Sequence, residues 1–460
     1  MRSERVHFVG VGGIGMSAIA RVLLERGQAV SGSDSAPSLL LDRLSQEGVD
    51  VAIGHTADNV RDASIVVVSS AIDRNNPEFA AARRAGTTVL HRGEMLARLM
   101  QGRRGIAICG THGKTTTTAM THAVLRAGGI DAGLILGGID GTLNTNAHDG
   151  TSPWFVTEAD ESDGSFALLE PDVAVVINVE NDHLASDDEL PALVRAFAEF
   201  LGKLPDRGAA IVGTDNVHSA SLASHDLPVP VTRFGFGAQA DVRATNLRFD
   251  RLGSQFDVIA GGACLGTAEL PVPGAMNVQN ALGAIAVARL LEVPFARVAE
   301  ALRGFRSVRR RFDVLADVER MIVVDDYAHH PTAVAATIAA ARGYHRGLLF
   351  VAFQPHRYSR TAFLAAQFAQ ALAGADRVYL APVYAASEPA IPGVSERSIG
   401  KPLEAAGATV RYVPGVDALE DVLLDEAPAG TMVLMLGAGT ITNVAHRLAQ
   451  RVASVSPVAT

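Results

Sequence analysis

Short β-prone apolar runs, each followed by a stretch of helical spacing, recur along most of the chain. Residues 6–9 are the first run; a helical pattern follows over about 16–25, then a short strand at 28–31. Residues 64–68 and 87–90 read as a third and a fourth strand. Residues 105–109 lead into a helix that runs through Leu125, and 154–157 and 173–179 add two more strands. The stretch 202–266 is looser and β-rich, with turn signals such as Gly213-Thr214-Asp215-Asn216. Residues 273–291 are helical: alanines dominate, and Val278, Leu282, Ile285 and Leu290 keep roughly helical spacing. Strands at 321–324, 348–353, 377–380, 409–413 and 432–436 then alternate with alanine-rich helices. Alternation of this kind predicts an α/β fold with parallel sheets. Three domains are expected, at 1–99, 100–306 and 307–460.

Composition narrows the function. With 460 residues, three domains are what about 150 residues each would give. Hydrophobic residues make up 48% and charged residues 19%, which supports large cores and excludes wholesale disorder. A net charge of −9 without a long basic run argues against nucleic-acid binding. Two distant cysteines, Cys109 and Cys264, make neither a disulfide framework nor a metal cluster and fit a reducing cytoplasm. The apolar runs at 172–179, 347–353 and 431–436 fall far below the roughly 18 residues a membrane span needs. The basic-then-apolar start looks like a targeting signal, but its glycine spacing has a better explanation.

That spacing is Gly10-Val11-Gly12-Gly13-Ile14-Gly15, between the first strand and the first helix, with Asp34 at the tip of the second strand. Glycines here let backbone N–H groups approach a diphosphate at a helix N-terminus, and the acid can accept from a ribose hydroxyl. The same turn also occurs without a ligand. Ser69, Ser70 and Arg92 follow the next strands, where open parallel sheets bind ligands. A second phosphate motif follows the strand at 105–109: Gly110-Thr111-His112-Gly113-Lys114-Thr115-Thr116, a shortened P-loop. Its lysine would reach the β- and γ-phosphates and its threonine hydroxyl would hold Mg²⁺. Glu158, Asp160, Glu161 and Asp163 form an acidic loop that can supply further oxygen ligands. Histidine is a poor Mg²⁺ ligand, so the residues alone leave His183 open. Two phosphate sites of different type point to ATP chemistry on a nucleotide-linked substrate.

These motifs resemble the Mur ligases, the ATP-dependent amide-forming enzymes of bacterial peptidoglycan synthesis. GVGGIGMSAIA with VSGSD, GTHGKTTTTAM, EADESDGSF, INVENDH, PGAMNVQNAL, RRRF, DDYAHHPT and FQPHRYSRT follow in the family's order over nearly the whole chain. The resemblance implies a Rossmann-like N-terminal domain, a central P-loop ATPase-like domain and a C-terminal Rossmann-like domain. DDYAHHP with FQPHRYSRT is similar to the members that join L-alanine to UDP-N-acetylmuramate, with ATP and Mg²⁺ (or Mn²⁺) as cofactors. By resemblance, Gly110, Thr111, His112, Gly113, Lys114, Thr115, Thr116, Asn277, Asn280, Arg311 and Asp326 would bind ATP. Thr115, Glu158 and His183 would hold the metal. Gly12, Gly13, Ile14, Gly15, Asp34, Ser69, Ser70, Arg92 and Asn146 would hold UDP-N-acetylmuramate. Tyr327, His329, His356, Arg357 and Arg360 would line the L-alanine pocket. Lys114, Glu158, His183, His329 and Arg357 would carry the chemistry, with His329 as the base. The protein is expected to be cytoplasmic, a monomer or homodimer, with closure about a hinge near 303–311.

The sequence departs from the family at three places. Ala275 and Met276 replace a basic residue and a histidine, Ala185 replaces an acid after Asp182-His183-Leu184, and Thr440 replaces an aspartate. Three other readings compete: a related ligase that adds a recycled peptide, a nicotinamide dehydrogenase and a non-catalytic nucleotide-binding regulator. The dehydrogenase leaves Lys114, Thr115 and the acidic loop without a task.

Overall fold

The first sheet is built from five short strands: β1 (Arg5–Val9), β2 (Ala29–Asp34), β3 (Asp50–Ile53), β4 (Ile65–Val68) and β5 (Thr88–His91). All pair in parallel in the order β3-β2-β1-β4-β5. The central strands β1, β2 and β4 are largely buried, as parallel strands covered by helices on both faces require. Strand order reverses between β1 and β4, which opens a crevice at their carboxyl ends. The glycine turn follows β1 and Ser69-Ser70 follows β4, so both meet at that crevice. Sequence pattern missed β3: it is an edge strand, Asp-Val-Ala-Ile, with no buried residue and an apolar run of only three. The second strand runs on to Asp34 rather than stopping at 31.

The computed structural model describes residues 4–161, 164–181, 189–251 and 253–455. His183 and the altered segment after it lie outside the described residues.

The second sheet contains β6 (Arg104–Cys109), β7 (Gly133–Ile135), β8 (Ala147–His148), β9 (Trp154–Glu158), β10 (Val173–Val176), β11 (Ala209–Gly213) and β12 (Val231–Gly235). Their order is β12-β11-β10-β6-β9-β7-β8. All neighbours are parallel except β7 with β8. The order matters for function. Strand β6 lies between β10 and β9, so the segments after all three emerge side by side: the P-loop, residues 159–161 and residues 177–181. Strand β10 ends at Val176, three residues before the apolar run stops, because the chain beyond it turns to the P-loop. Strands β13 (Val242–Asp250), β14 (Gly253–Ala260) and β15 (Ala263–Leu270) follow.

The chain divides into two units: Met1–Thr245, Val258–Gly266 and Gln279–Phe305 form one, and Asn246–Asp257, Thr267–Val278 and Arg306–Thr460 the other. The second unit holds a six-stranded sheet of β16 (Asp313–Val318), β17 (Met321–Asp326), β18 (Leu349–Phe353), β19 (Arg377–Leu380), β20 (Val410–Tyr412) and β21 (Thr431–Leu436). The order is β16-β17-β21-β18-β19-β20. Strands β17, β18 and β21 are fully buried, and only β16 runs antiparallel. Like β3, β16 is a part-polar edge strand, and sequence pattern missed it for the same reason.

Candidate active site

The glycine turn is organised by its own neighbours. Gly12 N–H donates to Asp34 Oδ2 at 2.9 Å, and Ser35 N–H donates to Oδ1 at 2.7 Å. A Cβ on Gly12 would strike that carboxylate, and one on Gly15 would lie 2.8 Å from Arg92 Nη1. Arg92 thus stands at the start of the helix Ile14–Glu25, where a cation and helix N–H groups suit a diphosphate. Ser69 is half-buried and Ser70 exposed at the end of β4. Asn146 is fully buried. It donates to Ile14 O (2.8 Å) and Ser17 Oγ (2.9 Å) and accepts from Arg21. With both N–H groups and one lone pair used, it is chiefly a tie between that helix and the β8 segment.

At the P-loop, Gly110 has φ +123° and Gly113 φ +88°, the left-handed region that costs any other residue dearly. A Cβ at Gly113 would collide with Asn280, which is buried against it. The loop is clasped from β10. His112 N–H donates to Asn178 Oδ1 at 2.8 Å, and Asn178 Nδ2 returns a bond to His112 O at 3.0 Å. Lys114 Nζ lies 2.7 Å from Gly110 O and 2.8 Å from Glu161 Oε2. Burial works against its ammonium, but Glu161, Asp160 and Glu158 outweigh that and hold the pKa above its ordinary value. Thr115 Oγ1 donates to Glu158 Oε2 at 3.0 Å, and the second carboxylate oxygen accepts from Gly137 N–H. Thr116 is buried in the same turn of helix. Cys109, just before the loop, is buried and its thiol pKa is pushed up by desolvation, so it is inert.

In the second unit, the residues after β17, β18 and β19 form a ladder of rings. Tyr327 and His329 meet edge-on at 5.0 Å between centroids, His329 and His356 edge-on at 5.7 Å, and His356 stacks on Tyr384 at 5.6 Å. Arg310 and Arg311 lie over the Tyr327 ring at 4.8 and 5.0 Å. His329 Nδ1 is 2.8 Å from Tyr327 O, an acceptor only. Nδ1 therefore carries the proton, which puts the basic lone pair on Nε2. Arg360 is buried with Nη1 3.4 Å from His356 Nδ1, whereas Arg357 is exposed and 4.0 Å from Glu388. Asp326 spends its carboxylate on the N–H groups of Phe312 and Ala328, both at 2.7 Å. Burial pushes its pKa up to about 6, against Arg311 and those two amides. Asn277 Nδ2 donates to Pro273 O at 2.8 Å.

Comparison with known proteins sets this geometry in a family. The family model for the Mur ligase catalytic domain matches residues 5–104, that for the Mur ligase middle domain 108–288, and that for the Mur ligase glutamate ligase domain 310–439. The UDP-N-acetylmuramate–L-alanine ligase of Acidithiobacillus ferrooxidans is 45% identical over 453 residues, 97% of each chain. The chain belongs to the Mur ligase family. The ligase of the same name from Rhizobium meliloti is 43% identical over 98% of this chain and 97% of its own. Among solved structures, the UDP-N-acetylmuramate–alanine ligase of Thermotoga maritima matches with a TM-score of 0.84 at 30% identity, covering 98% of this chain and all of that one. A murein peptide ligase from Psychrobacter arcticus matches at 0.74 and 25%, covering 99% and 100%. No helix among the described residues of this Mur ligase is long and apolar enough to cross a membrane.

Four residues of this Mur ligase escaped the reading of its sequence as site residues: Asn178, Arg310, Tyr384 and Glu388. Asn178 lies within INVENDH, so a signal was present; Arg310 was one arginine of a run. Tyr384 and Glu388, in a loop after β19, carried none. Glu388 accepts from Ser359 N–H and Oγ–H at 3.1 and 2.8 Å and so starts the helix Tyr358–Phe363. Of the altered positions, Thr440 Oγ1 accepts from Gln354 at 3.2 Å, and Met276 is half-buried.

Proposed function

We propose that this Mur ligase joins L-alanine to the carboxylate of UDP-N-acetylmuramate, giving UDP-N-acetylmuramoyl-L-alanine, ADP and phosphate in peptidoglycan synthesis. Full-length likeness to relatives of that name supports the substrates. One contact carries the phosphoryl-transfer half: Thr115 hydroxyl on Glu158 carboxylate at 3.0 Å, beside the Lys114 ammonium. Two hard oxygen donors at that spacing fit Mg²⁺. Thr115 and Glu158 would hold it, with His183 as a further ligand, and the bound ion would neutralise phosphate oxygens.

The chain's own residues then have distinct tasks. The P-loop N–H groups and Lys114 cradle the β- and γ-phosphates of ATP, and Lys114 must leave Glu161 to do so. The glycine turn and Arg92 bind the UDP diphosphate. The muramate carboxylate attacks the γ-phosphorus; ADP leaves and an acyl phosphate forms. Arg357 and Arg360 bind the carboxylate of L-alanine, as guanidinium forks do. His329 Nε2 takes a proton from the alanine ammonium, the amine attacks the acyl carbon, and phosphate leaves with the second amine proton as hydrogen phosphate. Residues 1–99, 100–306 and 307–460 serve as the nucleotide-sugar, ATP and amino-acid modules respectively.

Phosphate release from ATP and Mg²⁺ with UDP-N-acetylmuramate, with and without L-alanine, tests the proposal, with the product identified by mass. Release that needs both co-substrates, and a product heavier by one alanine residue, is expected. Release supported instead by a tripeptide, and not by L-alanine, would overturn the choice of acceptor. ATP binding without substrate-dependent release would overturn the ligase itself.

A further inference from the structure

We propose that Tyr384 is a positioning residue for the amino-acid acceptor, aiming Arg360 with its ring and Arg357 with its main chain. The inference rests on the acceptor site described under Proposed function.

Three observations carry it. First, the Tyr384 ring lies nearly parallel to His356, with an interplanar angle of 18°, and so fixes the plane of that imidazole. His356 Nδ1 in turn faces Arg360 Nη1, which can only donate, so rotating the imidazole moves the guanidinium's partner. Second, Arg357 has φ +70° and ψ 138°, a conformation almost confined to glycine. It is held there by its N–H on Tyr384 O (2.8 Å), by Tyr384 N–H on Pro355 O (2.8 Å), and by Thr361 Oγ1–H on its own carbonyl (2.8 Å). Strain of this kind persists only where surrounding bonds over-determine it, and here it turns the Arg357 side chain out beside Glu388. Third, Tyr384 is 37% exposed, so it is not a core residue. Its other neighbour is Gly439, where a Cβ would sit 2.8 Å from Tyr384 Cγ. Tyr384 is wedged between the segments that follow β21 and β18, and it stacks on the last histidine of the ladder.

Steady-state kinetics for all three substrates in Tyr384→Ala, Tyr384→Phe, Gly439→Ala and Arg360→Ala test the assignment. Tyr384→Ala is expected to raise KM for L-alanine about tenfold or more, because displacement of a binding group by an ångström is felt on that scale. KM for ATP and for UDP-N-acetylmuramate should stay within about twofold, and Tyr384→Phe, which keeps the ring, should restore the parent value. Gly439→Ala, whose Cβ would press on Gln354 Oε1 (2.5 Å) as well as on the ring, should also raise KM for L-alanine. If Arg360→Ala raises KM for L-alanine and Tyr384→Ala does not, Tyr384 positions nothing. If Arg360→Ala also leaves it unchanged, the acceptor site is misassigned and this inference falls with it. An equal loss for all three substrates, with a lowered unfolding temperature, would mark a merely structural ring; Tyr384→Leu, which retains bulk, separates that outcome from failure to fold.

Discussion

Glu78 has no part in the proposed reaction, yet its side chain is fully buried at the first turn of the helix Pro77–Ala85, and its removal should loosen the nucleotide-sugar site. The carboxylate accepts from Ser33 Oγ at 2.6 Å and from Asn59, and it faces His55 at 3.2 Å and His7 at 3.7 Å. Ser33 is the link to the site: its carbonyl accepts from Gly10 N–H and Val11 N–H at 2.8 and 2.9 Å. Burial alone would raise the carboxyl pKa, but bonds from His7, Ser33 and Asn59 outweigh it and hold the pKa at about 2 instead of 4.5. At 1.36 kcal/mol per unit, the ionised form contributes about 3 kcal/mol at neutral pH. Glu78→Gln keeps the shape and removes the charge. Local opening of β2 and β3 should then rise about a hundredfold, read as faster amide exchange in peptides covering residues 29–34 and 50–55. The sign with pH follows from a depressed pKa: the contribution is whole above about 4.5 and is lost as pH falls towards about 2. After correction for intrinsic exchange, the gap between parent and variant should close over that window. Unchanged protection at neutral pH, or a gap that does not vary with pH, would refute the reasoning.

Other predictions follow from single contacts. Lys114→Ala should lower kcat for phosphate release by about 10²–10³, since it removes the cation aimed at developing phosphate charge; rapid-quench assays read this directly. Gly113→Ala should weaken ATP binding at least about tenfold by calorimetry, because left-handed φ costs an alanine roughly 1–2 kcal/mol and its Cβ strikes Asn280. Adding Asn280→Ala should recover only the collision part. Asn146→Ala leaves the buried Ser17 hydroxyl, Ile14 carbonyl and Arg21 guanidinium short of a partner and should cost about 1–3 kcal/mol in denaturant titration. Thr121→Val should instead stabilise by about 1 kcal/mol, because the Thr121 hydroxyl is buried with no hydrogen-bond partner among the described residues; an unfolding temperature below the parent's would count against it.

The local chemistry of this protein was written in short stretches of its sequence. Apolar runs such as 65–68 and 106–109 became buried parallel strands because such strands bury both faces, and Gly110 and Gly113 became left-handed turn residues because other side chains pay for that conformation. Strands β3 and β16 were illegible, since Asp50, Asp313 and Asp317 leave each of them an apolar run of only three residues. What only the tertiary structure decided is adjacency. Placing β6 between β10 and β9 brings Asn178 and Glu158 to the P-loop from sequence distances of 66 and 43 residues. The same kind of long-range packing buries Glu78 against Ser33, turns Asp34 onto Gly12, and sets Tyr384 on His356. Periodicity and turn chemistry act over a dozen residues or so, whereas strand order and burial arise from contacts between distant segments, and those decide which acids, arginines and rings share a site.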